Sequence, residues 1–527
     1  MAAARSAVTR ILSASAASWL RIGVTVLTQL ALVPLYLAQW DAQTYGAWLL
    51  LQAVWSTVAL LDLAHHDYVG YACLQLRTDQ RAAIARRVFS AAPWVVLIAL
   101  WDVSLAWLLS RADFVAGWVG DNGALLAQWR AALLLQALTW LATGSLGGLI
   151  VRWLTPFGYW PQFAWWGVAY AIITAAAPAL AVVMGADLWH AALASNLTVL
   201  AYYLIFFVCM ARIVRRGGLP LALPDFSLGL RQCGHALWLA SKAVADMVRQ
   251  QGSRIVLAPL AGVADMAAFA TMRTGANFAL QGLGTITGPI MPELMRFLVA
   301  RDQARMEGAF ALVWLVLCAL LLPAMVIVQW LMPWLFPIWT HGKMAFDPWL
   351  FGMLSMGVAV YALAQPAAAV LMGNNVVRVQ LAISLLAGLI AVGGMALAVP
   401  HLGVRGAALA LLAAEAVSLG ITVAIARSWL TGHGLRWPGH AFAAAAASVL
   451  CTALGLAALA ATSQGQQLPV LIATLALQGV LAFVYWRQLP ALARQRARAV
   501  AARFVPLAQR PALAGAPADI GPSRKDD

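Results

Sequence analysis

Long apolar stretches, each close to the length needed to cross a bilayer, recur along the whole chain and are separated by short polar segments. A transmembrane helix needs about 20 apolar residues. Fourteen stretches meet that length, near residues 18–39, 46–63, 89–110, 131–151, 162–184, 188–211, 236–261, 267–289, 308–332, 348–372, 379–400, 405–427, 440–462 and 467–486. The pattern predicts an all-α polytopic membrane protein with about 14 transmembrane helices. The seventh stretch is the weakest, because it contains charged residues.

The composition excludes a soluble domain. Of the 527 residues, 63% are hydrophobic and only 10% are charged, whereas soluble domains carry about 25% charged residues. The five cysteines are scattered without metal-ligand spacing, so we expect packing residues and neither a metal nor a cofactor. The first apolar stretch is long enough to span and no small-residue cleavage pattern follows it, so we expect it to be retained.

The basic residues predict the orientation. With the N-terminus placed in the cytoplasm, most of the 34 Lys and Arg residues fall in cytoplasmic loops, tails or helix ends. The outer loops hold only Arg111, Arg130, Lys343 and Arg405. This bias is the one that membrane insertion produces, so we expect both termini in the cytoplasm. It also explains the net charge of +15, and we do not expect nucleic acid as a partner. The outer loops are too short for a catalytic domain.

A weak internal repeat predicts the domain organisation. "VPLYLAQWDAQTYGAW", from Val33, aligns with "APLAGVADMAAFATM", from Ala258, so that Pro34 matches Pro259 and Asp41 matches Asp265. Both copies would run from inside to outside, and parallel repeats are one plan for transporters that rock two halves around a central site. We therefore predict an N-terminal six-helix bundle (1–217), a C-terminal six-helix bundle (218–430), two additional helices (431–488) and a basic, disordered cytoplasmic tail (489–527).

The stretch "SKAVADMVRQQGSR" (241–254) places four charges in the seventh predicted span. In a helix Lys242, Asp246 and Arg249 share one face, with Arg254 to one side. Asp246 can neutralise only one of the three positive charges, and charges in the bilayer centre are costly. The surplus indicates a water-filled cavity or a bound anion. The alternative is that these side chains only bridge helices.

Other spans carry polar residues that we expect to face the same cavity: Arg21, Thr25 and Gln29 in the first, Gln52 in the second, and Arg273, Asn277 and Gln281 in the eighth. For Thr25, Gln29 and Gln52, ordinary interhelical hydrogen bonds are an equally good explanation. Arg21 is equally well explained as a residue that flanks the membrane.

Six further positions carry ionisable groups in or beside apolar stretches. Asp102 in the third span and Glu415 in the twelfth are candidate proton-coupling carboxylates, although paired structural groups are the favoured explanation. Asp62, His65, His66 and Asp67, at the cytoplasmic end of the second span, are interpreted as a solvated loop.

Two stretches resemble a known family. "LVPLYLAQWDAQTYGAWLLLQAVWSTVALLDLA" (32–64) resembles the first two helices of the polysaccharide transporter family. This family includes O-antigen and exopolysaccharide lipid flippases of the multidrug/oligosaccharidyl-lipid/polysaccharide exporter superfamily. "LMGNNVVRVQLAISLLAGLIAVGGMALAVPHLGVRGAALALLAAE" (371–415) resembles its eleventh and twelfth helices. Ala64 departs from the family, which usually has Gly there.

The resemblance implies a V-shaped pair of bundles that alternates between inward-open and outward-open states in the bacterial inner membrane. It implies a substrate of undecaprenyl-pyrophosphate bearing a sugar or oligosaccharide, and a polysaccharide polymerase and chain-length regulator as candidate partners. Arg is well suited to phosphate, so Arg249, Arg254 and Arg273 are assigned to the headgroup. Lys242 and Arg21 would lie nearer the entrance. Asn277, Gln281, Gln29 and Gln52 would bind sugars, and the lipid tail would pass through a gap between the halves.

Three other classes compete with a flippase. A cation-coupled multidrug exporter of the same superfamily should have an acidic or apolar cavity, whereas this one is predicted to be basic. A membrane enzyme of polysaccharide assembly typically needs a sizeable outer loop or acidic metal ligands, and neither stands out. An ATP-driven pump is disfavoured because no GxxxxGK[ST] loop occurs. The sequence therefore favours a transporter that is not an enzyme.

Overall fold

A computed structural model of the chain describes residues 7–74, 76, 78–120, 122–299, 301–374, 376–489 and 494. Some side chains within α1, α10 and α11 lie outside this description, as does the predicted tail apart from residues 489 and 494. The described residues form helices and no strand: α1 (Ala7–Gln39), α2 (Ala42–Val58), α3 (Leu60–Leu74), α4 (Arg81–Arg111), α5 (Phe114–Val119), α6 (Gly123–Ala142), α7 (Gly144–Leu154), α8 (Trp160–Val183), α9 (Leu188–Gly217), α10 (Phe226–Ala261), α11 (Val263–Val299), α12 (Gln303–Val316), α13 (Leu322–Trp339), α14 (Pro348–Gly373), α15 (Val377–Leu402), α16 (Val404–Gly432), α17 (Gly439–Ala461) and α18 (Gln467–Gln488).

The helices confirm an all-α polytopic membrane protein. Within the described residues, eleven helical segments are long and apolar enough to cross a membrane. The number is twelve if α2 and α3, which bend by 46° at Ala59, form one span. The seventh and eighth predicted spans correspond to α10 and α11. These helices have 36 and 37 residues and are long enough to cross, but many of their side chains lie outside the description.

Aspartates fix the starts of several helices. Asp41 caps α2 by accepting a 2.8 Å hydrogen bond from the backbone N–H of Thr44. Aspartates occupy the same N-cap position, each with a side-chain hydrogen bond, before α9, α10, α12 and α14. Such caps satisfy backbone donors that a helix leaves unpaired in its first turn. The short polar segments between apolar stretches therefore define where each span begins.

Helix α10 packs against elements from both predicted bundles. It contacts α2, α3 and α4 on one side and α15 on the other, while α11 packs against α2 and α14. Glycines permit two close crossings. A Cβ added to Gly46 of α2 would lie 2.2 Å from the carbonyl oxygen of Val263 in α11. A Cβ added to Gly229 of α10 would lie 2.2 Å from the carbonyl oxygen of Ser90 in α4. The division into bundles stays a prediction, but helices assigned to each are in tight contact.

The two copies of the predicted repeat occupy similar places. Pro34 lies near the end of α1, and Pro259 lies near the end of α10. Asp41 caps α2 and Asp265 lies in the first turn of α11. The repeat thus marks corresponding helix–helix connections.

Candidate functional site

A cavity of about 610 Å³ opens between α1, α3, α6, α7, α8 and α9. Its lining combines aromatic and basic side chains, among them Arg21, His66, Trp140, Arg152, Trp166, Tyr170, Tyr202, Tyr203 and Phe206. No Asp or Glu is among the described residues that line it. We refer to it as the aromatic cavity.

Glycines on α7 make room for the walls of this cavity. A Cβ on Gly147 would lie 2.4 Å from the ring of Tyr203, and one on Gly148 would lie 2.5 Å from the ring of His66. The opposite wall is held by the Tyr202 hydroxyl, which donates a 2.9 Å hydrogen bond to the carbonyl of Trp166. The rings of these two residues also meet edge to face, 5.4 Å apart. The wall is therefore a packed layer of rings.

Two arginines give the aromatic cavity its charge, and they differ in their partners. Arg152 Nη2 forms a 2.6 Å ion pair with Asp67 Oδ1 at the exposed end of α3. Arg21 is exposed, and no carboxylate among the described residues pairs with it. The Arg21 carbonyl accepts the hydroxyl hydrogen bond of Thr25 at 2.8 Å. Among the described residues that line this cavity, the Arg21 guanidinium is thus a cation without a carboxylate partner and is placed to meet a ligand.

A second cavity of about 390 Å³ adjoins the first and shares Trp140 and Tyr170 with it. Its polar lining includes Gln52, Gln136 and Asn196. Gln136 Nε2 lies 3.4 Å from Gln52 Oε1. Gln52 therefore faces α6, as an interhelical hydrogen-bond partner would.

The interpretation of Asp62, His65 and His66 as part of a solvated loop is wrong. All three lie in helix α3, and their exposed fractions are 0%, 0% and 2%. They recur at i, i+3 and i+4, so they share one helix face, and that face packs inward. Only Asp67 is substantially exposed. The spacing was the signal that sequence reasoning missed.

Asp102 lies on α4, with an exposed fraction of 1%, and it interacts electrostatically with Asp62. Neither of its carboxylate oxygens has a hydrogen-bond partner in the described structure. It is therefore not the paired structural group that was favoured.

The charged residues of α10 and α11 form a second group at the contact with α2. Arg273 Nη1 donates a 2.6 Å hydrogen bond to Ser253 Oγ, and Arg254 lies within electrostatic reach of the Tyr45 hydroxyl. Both arginines and Asn277 are half-buried. The side chains of Lys242, Asp246, Arg249 and Gln281 lie outside the described part of the structure.

The predicted site residues thus occupy at least two places. Arg273 contacts Ser253 and Arg254 lies near Tyr45, whereas Arg21 and Gln52 line the two connected cavities. Gln29 is half-buried on α1 and has an interaction partner.

Two further cavities lie among α11 to α16 and α1. Glu415 lines one of about 330 Å³ with Tyr361, Gln365 and Ser384, between α14, α15 and α16. The other, of about 690 Å³, is almost wholly apolar and lies between α1, α11, α13 and α14. Its rim includes the exposed side chains of Leu30, Leu335 and Ile338. We refer to it as the apolar cavity.

The fold is shared with known transporters. The lipid II flippase MurJ, in an inward closed conformation, superposes with a TM-score of 0.60 and 12% identity over 91% of this chain and 99% of that one. An inward-facing multidrug resistance MATE family transporter of the MOP superfamily gives 0.58 and 12% identity over 77% and 94%. A mutant of the Vibrio cholerae MATE transporter VcmN gives 0.51 and 13% identity over 80% and 98%.

Sequence comparison adds nothing to this likeness. No protein-family model matches the chain, and no curated protein matches its sequence. At these low identities the superpositions establish a common fold.

Proposed function

We propose that this chain is an alternating-access transporter that flips undecaprenyl-pyrophosphate-linked sugars or oligosaccharides across the bacterial inner membrane. The observation that carries the proposal is the aromatic cavity, in which Arg21 is without an ion-pair partner among the described residues and no described acidic side chain forms the wall. A cavity of this kind favours an anion joined to a body with apolar faces. It is proposed to hold substrate during transport rather than to catalyse a reaction.

The chemistry of the wall fits the two parts of such a headgroup. The Arg21 guanidinium offers a planar fork of donors that matches phosphate oxygens. Aromatic rings such as Trp140, Tyr170 and Tyr202 offer flat apolar surfaces, and ligand cavities commonly combine such surfaces with a few polar groups that fix orientation. Gln52 and Asn196, in the adjoining cavity, would form hydrogen bonds with sugar hydroxyls as donors or acceptors.

Coverage of the known folds also supports a flippase. Helices α17 and α18 begin only at Gly439. A match that covers 91% of the chain must therefore include part of this C-terminal region. The match to the lipid II flippase covers 91% and therefore extends into this region. The MATE matches cover 77% and 80% and do not require it. This difference in coverage supports a lipid-linked substrate for this chain.

The arginines at the contact of α2, α10 and α11 have a second role in the proposal. Arg254 and Arg273 would receive the pyrophosphate farther along the path, together with Arg249. Lys242 and Asp246 would lie nearer the predicted cytoplasmic entrance, with Asn277, Gln281, Gln29 and Thr25 contributing polar contacts. A polysaccharide polymerase and a chain-length regulator are the proposed functional partners.

A multidrug exporter is the competing function. The MATE family neighbours share the fold, and an aromatic wall would also suit flat drugs. Arg21 distinguishes the two functions, because an unpaired guanidinium attracts a phosphate and repels a cationic drug.

Binding measurements with purified protein in nanodiscs test this difference. We expect undecaprenyl pyrophosphate to bind wild type, and Arg21→Ala to weaken binding by about 10- to 150-fold, since a hydrogen bond to a charged group contributes roughly 1.5–3 kcal/mol. Arg216→Ala, an exposed arginine at the end of α9, is the matched control and should bind like wild type. Binding of tetraphenylphosphonium instead, strengthened by Arg21→Ala, would favour the exporter and contradict the flippase.

A further inference from the structure

Four titratable side chains lie together behind the aromatic cavity. Asp62, His65 and His66 are on α3, and Asp102 is on α4. Their burial is nearly complete, and an electrostatic interaction links the two carboxyl groups. We refer to these four residues as the acid–histidine cluster.

The hydrogen bonds of the cluster leave it incomplete. Asp62 Oδ2 accepts a 2.6 Å hydrogen bond from Trp140 Nε1. His66 Nε2 lies 2.7 Å from the Ser145 carbonyl, which can only accept, so this nitrogen carries the hydrogen. Asp62 Oδ1 lies 3.6 Å from His66 Nε2 but accepts no hydrogen bond. Both oxygens of Asp102 and both ring nitrogens of His65 also have no hydrogen-bond partner in the described structure.

Such an arrangement is costly when the carboxyl groups are ionised. A buried ionised group without a partner loses its hydration and regains little, at a cost of several kcal/mol. A second carboxylate nearby raises the cost further, because like charges disfavour each other's ionised form. Binding of a proton removes this cost. Within the described residues no group of three or more His, Cys, Asp or Glu is placed to hold a metal ion.

Several charged side chains that the structure describes on neighbouring elements have partners of their own. On α7, Arg152 acts electrostatically on His66 and pairs with Asp67. On α10, His235 stacks on Tyr68, and the side chains of Lys242 and Asp246 lie outside the description. Arg87 of α4 donates to the carbonyl of Ala72, and Arg130 of α6 donates to that of Ala112. The α2 segment and the 3₁₀ turn Thr155–Phe157 contain no charged residue.

The cluster is connected to the aromatic cavity through two side chains. His66 lines the cavity, and Trp140 lines both connected cavities while donating to Asp62. Asp62 lies in the first turn of α3, immediately after the 46° bend at Ala59. A hydrogen bond to an ionised carboxylate is roughly twice as strong as one to a neutral carboxyl group. The protonation state of Asp62 therefore determines how firmly the Trp140 indole is held.

We propose that the acid–histidine cluster is a proton-binding site and that its protonation state controls the position of Trp140 in the cavity wall. Hydronium in the cavity transfers a proton to the carboxyl pair: one O–H bond of hydronium breaks, one carboxyl O–H bond forms, water remains, and the charge of the cluster rises by one. The indole is then held more weakly and the wall can rearrange around a substrate. Release of the proton to water restores the strong hydrogen bond. This coupling role rests on the proposed transport function, but proton binding itself does not.

Infrared titration of the purified full-length protein in nanodiscs tests proton binding without any substrate. We expect the carboxyl C=O band to grow as the pH is lowered, with components that disappear in Asp62→Asn and in Asp102→Asn. Asp113→Asn removes an exposed carboxyl without a side-chain cap bond and should leave the components assigned to Asp62 and Asp102 unchanged. Trp140→Phe keeps both carboxyl groups and removes the donor, so it should shift the Asp62 component even if an Asn variant fails to fold.

The outcomes separate the two proposals. If the band is the same in wild type and in the double Asn variant, or responds to sodium at fixed pH and not to pH, the proton site is wrong. If it behaves as expected while undecaprenyl pyrophosphate fails to bind, the site stands and the proposed substrate fails. A pH-dependent change in the fluorescence quenching of Trp140 that is lost in Asp62→Asn would support control of the cavity wall by the cluster. If no such change occurs, this control is contradicted.

Discussion

Lys343 Nζ donates a 3.0 Å hydrogen bond to the carbonyl of Trp40, and this contact joins the loop after α13 to the end of α1. Nearby, Trp339 Nε1 donates a 2.8 Å hydrogen bond to the carbonyl of Leu30. The partners are more than three hundred residues apart in each case. Two donors from the C-terminal part of the chain therefore hold the predicted outer end of α1.

Lys343→Met should weaken closure at this end. Losing the hydrogen bond costs about 1 kcal/mol, which changes the ratio of closed to open molecules roughly fivefold. Distances between spin labels at Ala38 and Ala345, in a background with Cys209 and Cys233 replaced, would show a larger long-distance population. Arg111→Met removes an exposed cation from the same predicted side and should leave the distribution unchanged. Equal distributions in wild type and Lys343→Met would show that the contact does not control closure.

Gly46→Ala should destabilise the contact between α2 and α11. The added Cβ would lie 2.2 Å from a backbone oxygen of Val263, so the helices must separate, at a cost of about 1–3 kcal/mol. Thermal unfolding in detergent should show a lower Tm. Gly479→Ala makes the same change where nothing lies within 4 Å and should leave the Tm unchanged or raise it. A Tm for Gly46→Ala at or above that of wild type would contradict the close crossing.

Asp225→Asn should make stability depend less on pH. The backbone N–H of Leu228, followed by the side chains of Arg86 and Ser227, hold the pKa of Asp225 below its usual value of 3.8. When folding lowers the pKa of a carboxyl group, the ionised group stabilises the folded protein at pH values above its usual pKa. This stabilisation is lost as the pH falls through the folded-state pKa. Asn keeps the cap and loses the charge.

The Tm of Asp225→Asn should therefore lie below that of wild type at pH 7. The difference should shrink as the pH falls below about 4. Asp113→Asn, which lacks these contacts, should show no such convergence. If the Tm difference between wild type and Asp225→Asn is the same at all pH values, the loss of stability comes from packing and not from the charge.

Tyr485→Phe should loosen the packing of α18. The Tyr485 hydroxyl is buried and donates a 2.9 Å hydrogen bond to the carbonyl of Ala311 in α12. Its removal should lower the free energy of unfolding by about 1 kcal/mol, measured by thermal unfolding. Tyr71→Phe removes an exposed hydroxyl and should change little. Equal Tm values for both variants would show that this hydrogen bond does not stabilise the packing.

The sequence was sufficient for the helices because the bilayer sets their length. Apolar runs of about 20 residues have few alternatives in a membrane. The bend at Ala59 was not predicted, because no proline or glycine lies at that position. The π-helical turn Leu317–Leu321 was also not predicted, although Pro323 follows it and cannot donate the backbone hydrogen bond to Ala319.

The candidate site was less predictable because a helix has several faces. Polarity identified Arg21 and Gln52, but only the packing of α1 on α8 and of α2 on α6 shows which cavity each one lines. Asp62, His65 and His66 of the acid–histidine cluster were missed because ionisable residues after an apolar run resemble a loop. Their i, i+3, i+4 spacing would have distinguished a helix face.

The apolar cavity has an energetic consequence for any substrate that carries a long hydrocarbon chain. Exposing such a chain to water costs about 0.8 kcal/mol per methylene, so a chain of several tens of carbons could not follow its headgroup through an aqueous path. Leu30, Leu335 and Ile338 give this cavity an oily rim on the surface of the molecule. A hydrocarbon chain could stay in contact with this rim while the polar headgroup crosses the membrane. The solvation penalty for moving the whole amphiphile would then fall on the headgroup alone.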